Sequence, residues 1–171
     1  MKNQIIKIAI LLLLLATACG EKDQVVISAL ETPVLTGYHL RDYNGQGLGN
    51  VGAPNTKWGN NPADFSASDI FFIPFPNPST ELIRVAIVTT KASQAELSIT
   101  PAVYEEDSAV PNFVGAELIS AGGRPVKTLK VTLVEGSNNF AIGTADLPDG
   151  YYRIYLKVEE LLLWDNLLIQ H

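Results

Sequence analysis

Side chains able to do chemistry are few in this sequence and lie far apart. The 171 residues include two histidines, His39 and His171, and a single cysteine, Cys19. The sequence has no Gly-x-Ser-x-Gly, no His-Glu-x-x-His and no phosphate-binding glycine loop. No motif therefore predicts catalysis, and we expect a non-enzymatic protein with no cofactor and no metal ion.

Two acidic stretches deserve comparison with cation sites. DYNGQG (residues 42–47) resembles the opening of a calcium loop, with oxygen ligands at alternate positions before a glycine. Gln46 replaces the usual Asp or Asn, however, and Ala53 stands where an acidic ligand is expected. Glu105, Glu106 and Asp107 could bind a cation or act as an acid/base pair. We interpret the first stretch as a turn and the second as a solvated loop.

The first residues have the three parts of a secretory signal peptide. Lys2 and Lys7 are followed by an apolar run at residues 8–15 and by small residues at 16–18. The apolar run is shorter than the roughly 20 residues of a membrane-spanning helix. Residues 1–18 are therefore predicted to be a leader that directs export.

Cys19 follows this leader directly, and the junction resembles a lipobox, the processing signal of bacterial lipoproteins. In that family the cysteine thiol receives a diacylglyceryl group and the leader is cut before it. The resemblance implies lipid attachment at Cys19, hence a membrane partner and a cell-envelope, outer-membrane location. Ala16 departs from the usual leucine of the motif, and a plain signal peptide with an incidental cysteine is the alternative.

The net charge of the chain argues against one class of partner, the nucleic acids. Eighteen acidic against twelve basic side chains give a net charge of −6, with no cluster of Lys and Arg. Such a chain lacks the electrostatic attraction that nucleic-acid binding requires, so we expect no nucleic-acid partner. Glu21, Lys22 and Asp23 after the cysteine resemble signals that carry some lipoproteins to the cell surface, with a solvated tether as the alternative.

Alternation with a period of two dominates the rest of the chain and predicts half-buried antiparallel strands. A hairpin with its turn at Asn44–Gly45 is predicted in residues 19–70, which otherwise form a lipidated tether and a Gly/Asn/Pro-rich loop. Residues 71–171 are predicted to form an all-β antiparallel sandwich. Its expected core is Ile83, Val85, Ile87, Leu97, Ile99, Leu129, Val131, Leu133, Phe140, Ile142, Tyr152, Ile154 and Leu156.

Three motifs in residues 75–171 occur in a specific order. FPNPST (75–80) comes first, GRPVKTL (123–129) follows, and EGSNNFAIGTADLPDGYYRIYLKV (135–158) precedes a final apolar strand. This order resembles the C-terminal sorting domain of type IX secretion cargo, an immunoglobulin-like β-sandwich that addresses proteins to an outer-membrane export machine. Two features depart from that family: residues 104–121 are longer than its usual link, and about 50 residues replace the usual large passenger.

These observations lead to a functional expectation. We expect a lipid-anchored envelope protein that acts as a binding or assembly module, with an outer-membrane complex or the type IX export machinery as partner. One alternative is a type IX secretion substrate whose sandwich is the export signal. Another is a small carbohydrate-binding surface protein, for which Trp58 and Trp164 are candidate stacking residues.

One strand is a candidate partner surface. If Tyr152, Ile154 and Leu156 point into the core, the pleat turns the intervening side chains to the opposite face. Those side chains are Tyr151, Arg153, Tyr155 and Lys157. Exposed Tyr and Arg are typical of binding surfaces. The alternative is that residues 34–58, which we name the front segment, fold back and cover them, and this is the outcome that we favour.

Overall fold

The computed structural model describes residues 32–59, 70–105 and 123–171. These ranges contain eleven β-strands and no helix, so they hold no helix that could cross a membrane. The predicted leader at residues 1–18, Cys19, Glu106 and Asp107 lie outside the described residues. The strands are β1 (Val34–Leu35), β2 (Gly37–Arg41), β3 (Gly47–Gly52), β4 (Ile70–Phe75), β5 (Leu82–Thr89), β6 (Ser93–Pro101), β7 (Val103–Tyr104), β8 (Lys127–Leu133), β9 (Gly136–Gly143), β10 (Gly150–Val158) and β11 (Leu161–Ile169).

Two antiparallel sheets form the body of the protein. A four-stranded sheet has the order β11-β10-β6-β8, and a three-stranded sheet has the order β4-β5-β9. β1 and β7 form a short parallel pair, and β2 and β3 form a separate hairpin. The prediction of an all-β, antiparallel architecture is confirmed.

A shared apolar core lies between the two sheets. Phe72, Ile83 and Ile87 from the smaller sheet and Leu97 and Ile154 from the larger one are fully buried in a single cluster. The alternating pattern of the sequence produces this arrangement, because every second side chain of a strand faces the same way. The apolar residues that alternate along the strands therefore form the core, as their pattern predicts.

The prediction that Leu129 lies in the core is wrong, and Phe140 is only partly buried. Leu129 is 37 % exposed, although it lies opposite the fully buried Leu97 in the β6–β8 register. β8 is the outermost strand of its sheet, so a side chain there can face the core and still reach solvent. Phe140, on the outermost strand of the other sheet, packs against the core but is half-buried.

The front segment contains the predicted hairpin after β1, and the β2–β3 pairing confirms that hairpin. Its turn is held by the Asp42 carboxylate, which accepts hydrogen bonds from the backbone N–H groups of Asn44 and Gln46 at 2.9 and 2.8 Å. Gly45 has a positive φ of 81° there, a conformation that glycine adopts without a steric cost. The carboxylate that suggested a calcium loop therefore stabilises the turn. β3 extends to Gly52, into the stretch expected to be loop.

Farther along, the front segment joins the two sheets along one side of the body. Lys57 exchanges two backbone hydrogen bonds with Trp164 of β11, at 2.9 and 2.8 Å. The carbonyl of the next residue, Trp58, accepts from the N–H of Phe72 in β4 at 3.0 Å. Consecutive residues thus pair with the end strand of each sheet, and the Trp58 side chain packs against the core between them.

Candidate functional site

The outer face of β10, turned away from the core, carries the four side chains of the candidate partner surface. The structure buries two of them, with Arg153 at 7 % and Tyr155 at 2 % exposure. Tyr151 is half-buried, and Lys157 is exposed. The four therefore lie on one strand face but do not form one open surface.

Arg153 is held by the front segment and by the neighbouring strand. Its Nη2 donates to the backbone oxygen of Val34 at 2.8 Å and to Oδ1 of Asn55 at 3.1 Å, and its Nε donates to Oδ1 of Asn166 at 3.0 Å. Burial lowers the pKa of Arg153 from its ordinary value, and Tyr155 and Asp165 oppose that shift. Hydrogen bonding on three sides offsets the cost of removing this charge from water.

A second buried cation joins the hairpin to the last strand. Arg41 at the end of β2 donates from Nη1 to Oδ2 of Asp165 in β11 at 2.8 Å, and their side chains are 3 % and 0 % exposed. The same nitrogen donates to the carbonyl oxygen of Pro74 at 3.2 Å. Nη2 of Arg41 has no hydrogen-bond partner, but the guanidinium lies 4.9 Å from the centre of the Trp58 ring. The π face of an indole attracts such a cation.

Burial also acts on the carboxylate of this pair. Desolvation raises the pKa of Asp165 above its ordinary value, while Arg41 and the N–H of Asn166 act in the opposite direction. The N–H of Asn166 donates to Oδ1 of Asp165 at 2.7 Å. The pair is therefore a buried ion pair whose charges depend on each other for compensation.

Asn77 in the Pro-Asn-Pro motif is a third connection between the front segment and β11. It is fully buried and exchanges two backbone hydrogen bonds with Arg41, at 2.9 and 3.0 Å. Its side-chain nitrogen donates to the carbonyl oxygens of His39 and Asn166, and its side-chain oxygen accepts from the N–H of Leu168. The motif thus has a structural role at the meeting point of β2 and β11.

Asn55 and Asn166 complete the polar layer under the front segment. Nδ2 of Asn166 donates to the carbonyl oxygen of Gly37 at 2.7 Å and to Oδ1 of Asn55 at 2.8 Å. The indole N–H of Trp164 donates to the backbone oxygen of Asn55 at 2.9 Å. Trp164 is therefore bound by the front segment, and its half-buried ring lies beneath Lys57, whose Nζ is 5.6 Å from the ring centre.

Three tyrosines cluster where β10 meets the front segment and β7. The rings of Tyr104 and Tyr151 are stacked with centroids 4.8 Å apart, and Tyr38 lies 6.1 Å from Tyr151. Burial raises the pKa of Tyr38, with Tyr151 and Tyr104 contributing to the same shift. Tyr151 is thus engaged in packing between strands, in the way that aromatic rings commonly join neighbouring elements.

Lys157 belongs to a different environment at the far end of the face. It lies opposite Glu96 on β6, which in turn lies opposite Lys130 on β8. Two cations therefore flank one carboxylate across three strands, an arrangement typical of a solvated sheet face. Lys157 remains accessible there, together with the exposed Lys130.

The two histidines, the remaining chemical candidates, contact different partners. His39 contacts Oδ1 of Asn50 at 2.6 Å through Nδ1 and Oγ1 of Thr56 at 3.3 Å through Nε2. His171 contacts Oδ1 of Asp149 at 2.7 Å through Nδ1. Among the described residues, no three His, Cys, Asp or Glu side chains are grouped to hold a metal ion.

Sequence reasoning did not identify Arg41, Asn55, Asn77, Asp165 and Asn166 as the residues that organise this region. A signal was present at Asp165–Asn166, since two adjacent polar side chains interrupt the apolar run LLLWDNLLI. Polar groups in such a strand need buried partners. Most of their partners were not identifiable from the strand pattern, because they lie in the front segment, far earlier in the chain.

Comparison of the chain with protein-family models, with curated proteins and with solved structures found no match.

Proposed function

We propose that this protein is a non-enzymatic lipoprotein of the outer membrane, anchored through Cys19, in which the β-sheet body acts as a binding or assembly module. The anchor is supported by the leader at residues 1–18 and by the lipobox-like junction. Several acyl chains on one cysteine give firm membrane attachment, at about 0.8 kcal/mol per buried CH₂.

The observation that carries the proposal is the buried pair of Arg41 and Asp165. It ties the front segment to the last strand, with both side chains shielded from water. Cutting the chain between the front segment and the sheets would leave these charges uncompensated. This supports a single anchored body as the working part and argues against a sorting domain that is removed from a passenger.

We further propose that the body is an immunoglobulin-like sandwich. Four- and three-stranded antiparallel sheets around one core match the strand count of the constant-type immunoglobulin fold. Tyr152 adds support, because its hydroxyl donates to the carbonyl oxygen of Pro148, four residues upstream, at 2.8 Å. This contact is similar to the tyrosine corner of that fold.

Intact-mass measurement of the protein extracted from membranes tests the proposal. We expect a chain that begins at a lipidated Cys19 and ends at His171, and we expect Cys19→Ser to release the protein from the membrane. A mature protein that lacks residues 71–171 would instead support the type IX substrate alternative. An unlipidated N-terminus would refute the anchor.

A further inference from the structure

The two long sides of the sheet body differ in the pairing of their end strands. On one side, Lys57 and Trp58 pair with β11 and β4, and Ser79 forms a further bridge to Ile169. On the other side the end strands are β8 and β9, which follow each other in sequence. Within the described ranges, neither of these two strands has a second strand neighbour. Among the described residues, one side is therefore closed by an extended segment, and the other ends in two strands with a free edge.

Apolar side chains are exposed on β8 and on the two residues that flank it. Val126 is 49 %, Leu129 37 % and Val134 58 % exposed. Leu129 is directed like its buried cross-strand neighbour Leu97. An added strand beside β8 would cover Leu129 and would extend the core, much as Trp58 does on the closed side.

Charge identifies the kind of strand that would fit. Residues 123–133 carry Arg124, Lys127 and Lys130 and no acidic side chain, although the whole chain has a net charge of −6. Lys127 pairs with Asp146, but Arg124 and Lys130 are exposed and form no ion pair with the rest of the described chain. Lysine on an edge strand opposes pairing with a like-charged edge.

A second copy of β8 is therefore disfavoured, since it would bring cations against cations. At the edge of β8 that pairs with β6, a carboxylate already lies opposite a cation, since Glu96 of β6 is opposite Lys130. We propose that the outer edge of β8 is a strand-addition site for an extended, acidic segment of a partner protein. This inference deepens the proposed binding function and rests on it.

A model peptide tests the site on detergent-solubilised, full-length protein. The probe is a fluorescent peptide of about seven residues, the length of β8, that alternates valine and glutamate, and its counterpart carries lysine in place of glutamate. We expect the acidic peptide to bind, to bind more weakly at high salt, and to protect the β8 amides from hydrogen exchange. Lys130→Glu should weaken binding at least about tenfold.

Two further variants make the result specific. Lys130→Gln removes the positive charge without placing a second carboxylate opposite Glu96, so it should weaken binding even if Lys130→Glu disturbs the sheet. Lys91→Glu is the matched control, because Lys91 is an exposed cation outside β8 that pairs with Glu159. The control should leave the affinity unchanged.

Several results would overturn the inference: no binding of either peptide, equal binding of both, or equal weakening by Lys91→Glu. A photo-cross-linker at Thr128 that reacts within the same chain or with a second copy would also overturn it. If no peptide binds at β8, the proposal of a lipid-anchored module still stands. Finding Cys19 unlipidated while β8 still binds the acidic peptide would refute the anchor and not the edge site.

Discussion

Asp165→Asn is the most direct test of how the front segment is held. The substitution keeps the size of the side chain but leaves the Arg41 guanidinium, 3 % exposed, without its counter-charge. Removing one partner of a buried ion pair typically costs about 3–5 kcal/mol. That is a large part of the roughly 5–15 kcal/mol by which a domain is stable. We therefore expect Asp165→Asn to lower the free energy of unfolding by about 3 kcal/mol or more.

Urea unfolding followed by tryptophan fluorescence measures the free energy of unfolding with probes that lie at the interface of the front segment. Trp58 stacks on Arg41, and Trp164 binds the front segment through Asn55, so both indoles report on the interface. Glu159→Gln is the matched control, since it makes the same acid-to-amide change in an exposed pair with Lys91, where we expect less than about 1 kcal/mol.

Two outcomes bear on the reasoning. Adding Arg41→Met to the Asp165→Asn variant should recover part of the lost stability, because the uncompensated charge is then gone. Equal, small effects of Asp165→Asn and Glu159→Gln would refute the idea that the buried pair holds the front segment in place.

Three further predictions address pH, packing and backbone geometry. Burial lowers the pKa of His39 below its ordinary 6.5. The unfolded chain therefore binds the proton first as the pH falls, and the free energy of unfolding should decrease below pH 6.5. Urea unfolding midpoints measured at about pH 7.5 and 5.5 should differ less for His39→Gln than for the unchanged protein. Leu97→Ala should cost about 2–5 kcal/mol in urea unfolding, whereas Leu129→Ala should cost less than about 1, and equal costs would contradict the partial exposure of Leu129. Gly59→Ala should destabilise by about 1–3 kcal/mol, because Gly59 has a φ of 90° and a Cβ there would collide with a backbone oxygen of β4. Gly47→Ala, with no atom near its Cβ, should be tolerated, and thermal unfolding compares the two glycine variants.

The strands of the sheets could be predicted because their information is local. Alternation at Ile83, Val85 and Ile87 reflects a single strand with one buried face, and the Asn44–Gly45 turn needs only its own residues. Exposure at the edge of a sheet depends instead on which strand ends the sheet. The pattern of β8 predicts the direction in which Leu129 points, but not that β8 has no covering strand beside it among the described residues.

The candidate surface on β10 illustrates the same limit for function. The period-two pattern gives the side of the strand on which Arg153 and Tyr155 lie, and that side is the outer one. Whether the outer side is open depends on Val34 and Asn55, about a hundred residues earlier in the chain. Local patterns contain no information about such a contact, so the strand pattern alone could not decide between a partner and the front segment.

The contact between Arg41 and Asp165 also has a consequence for the order in which the molecule can assemble. The two residues are separated by 124 positions, and the contact of Asn166 with Gly37 spans 129. A ribosome or a translocation channel delivers the chain N-terminus first, so the front segment emerges long before the strand that receives it. Contacts of such long sequence separation form slowly, because a large loop must close before they contribute. The front segment therefore lacks its contacts with β11 until the final residues arrive, and truncating β11 would remove the contacts of Arg41, Gly37 and Lys57 with that strand.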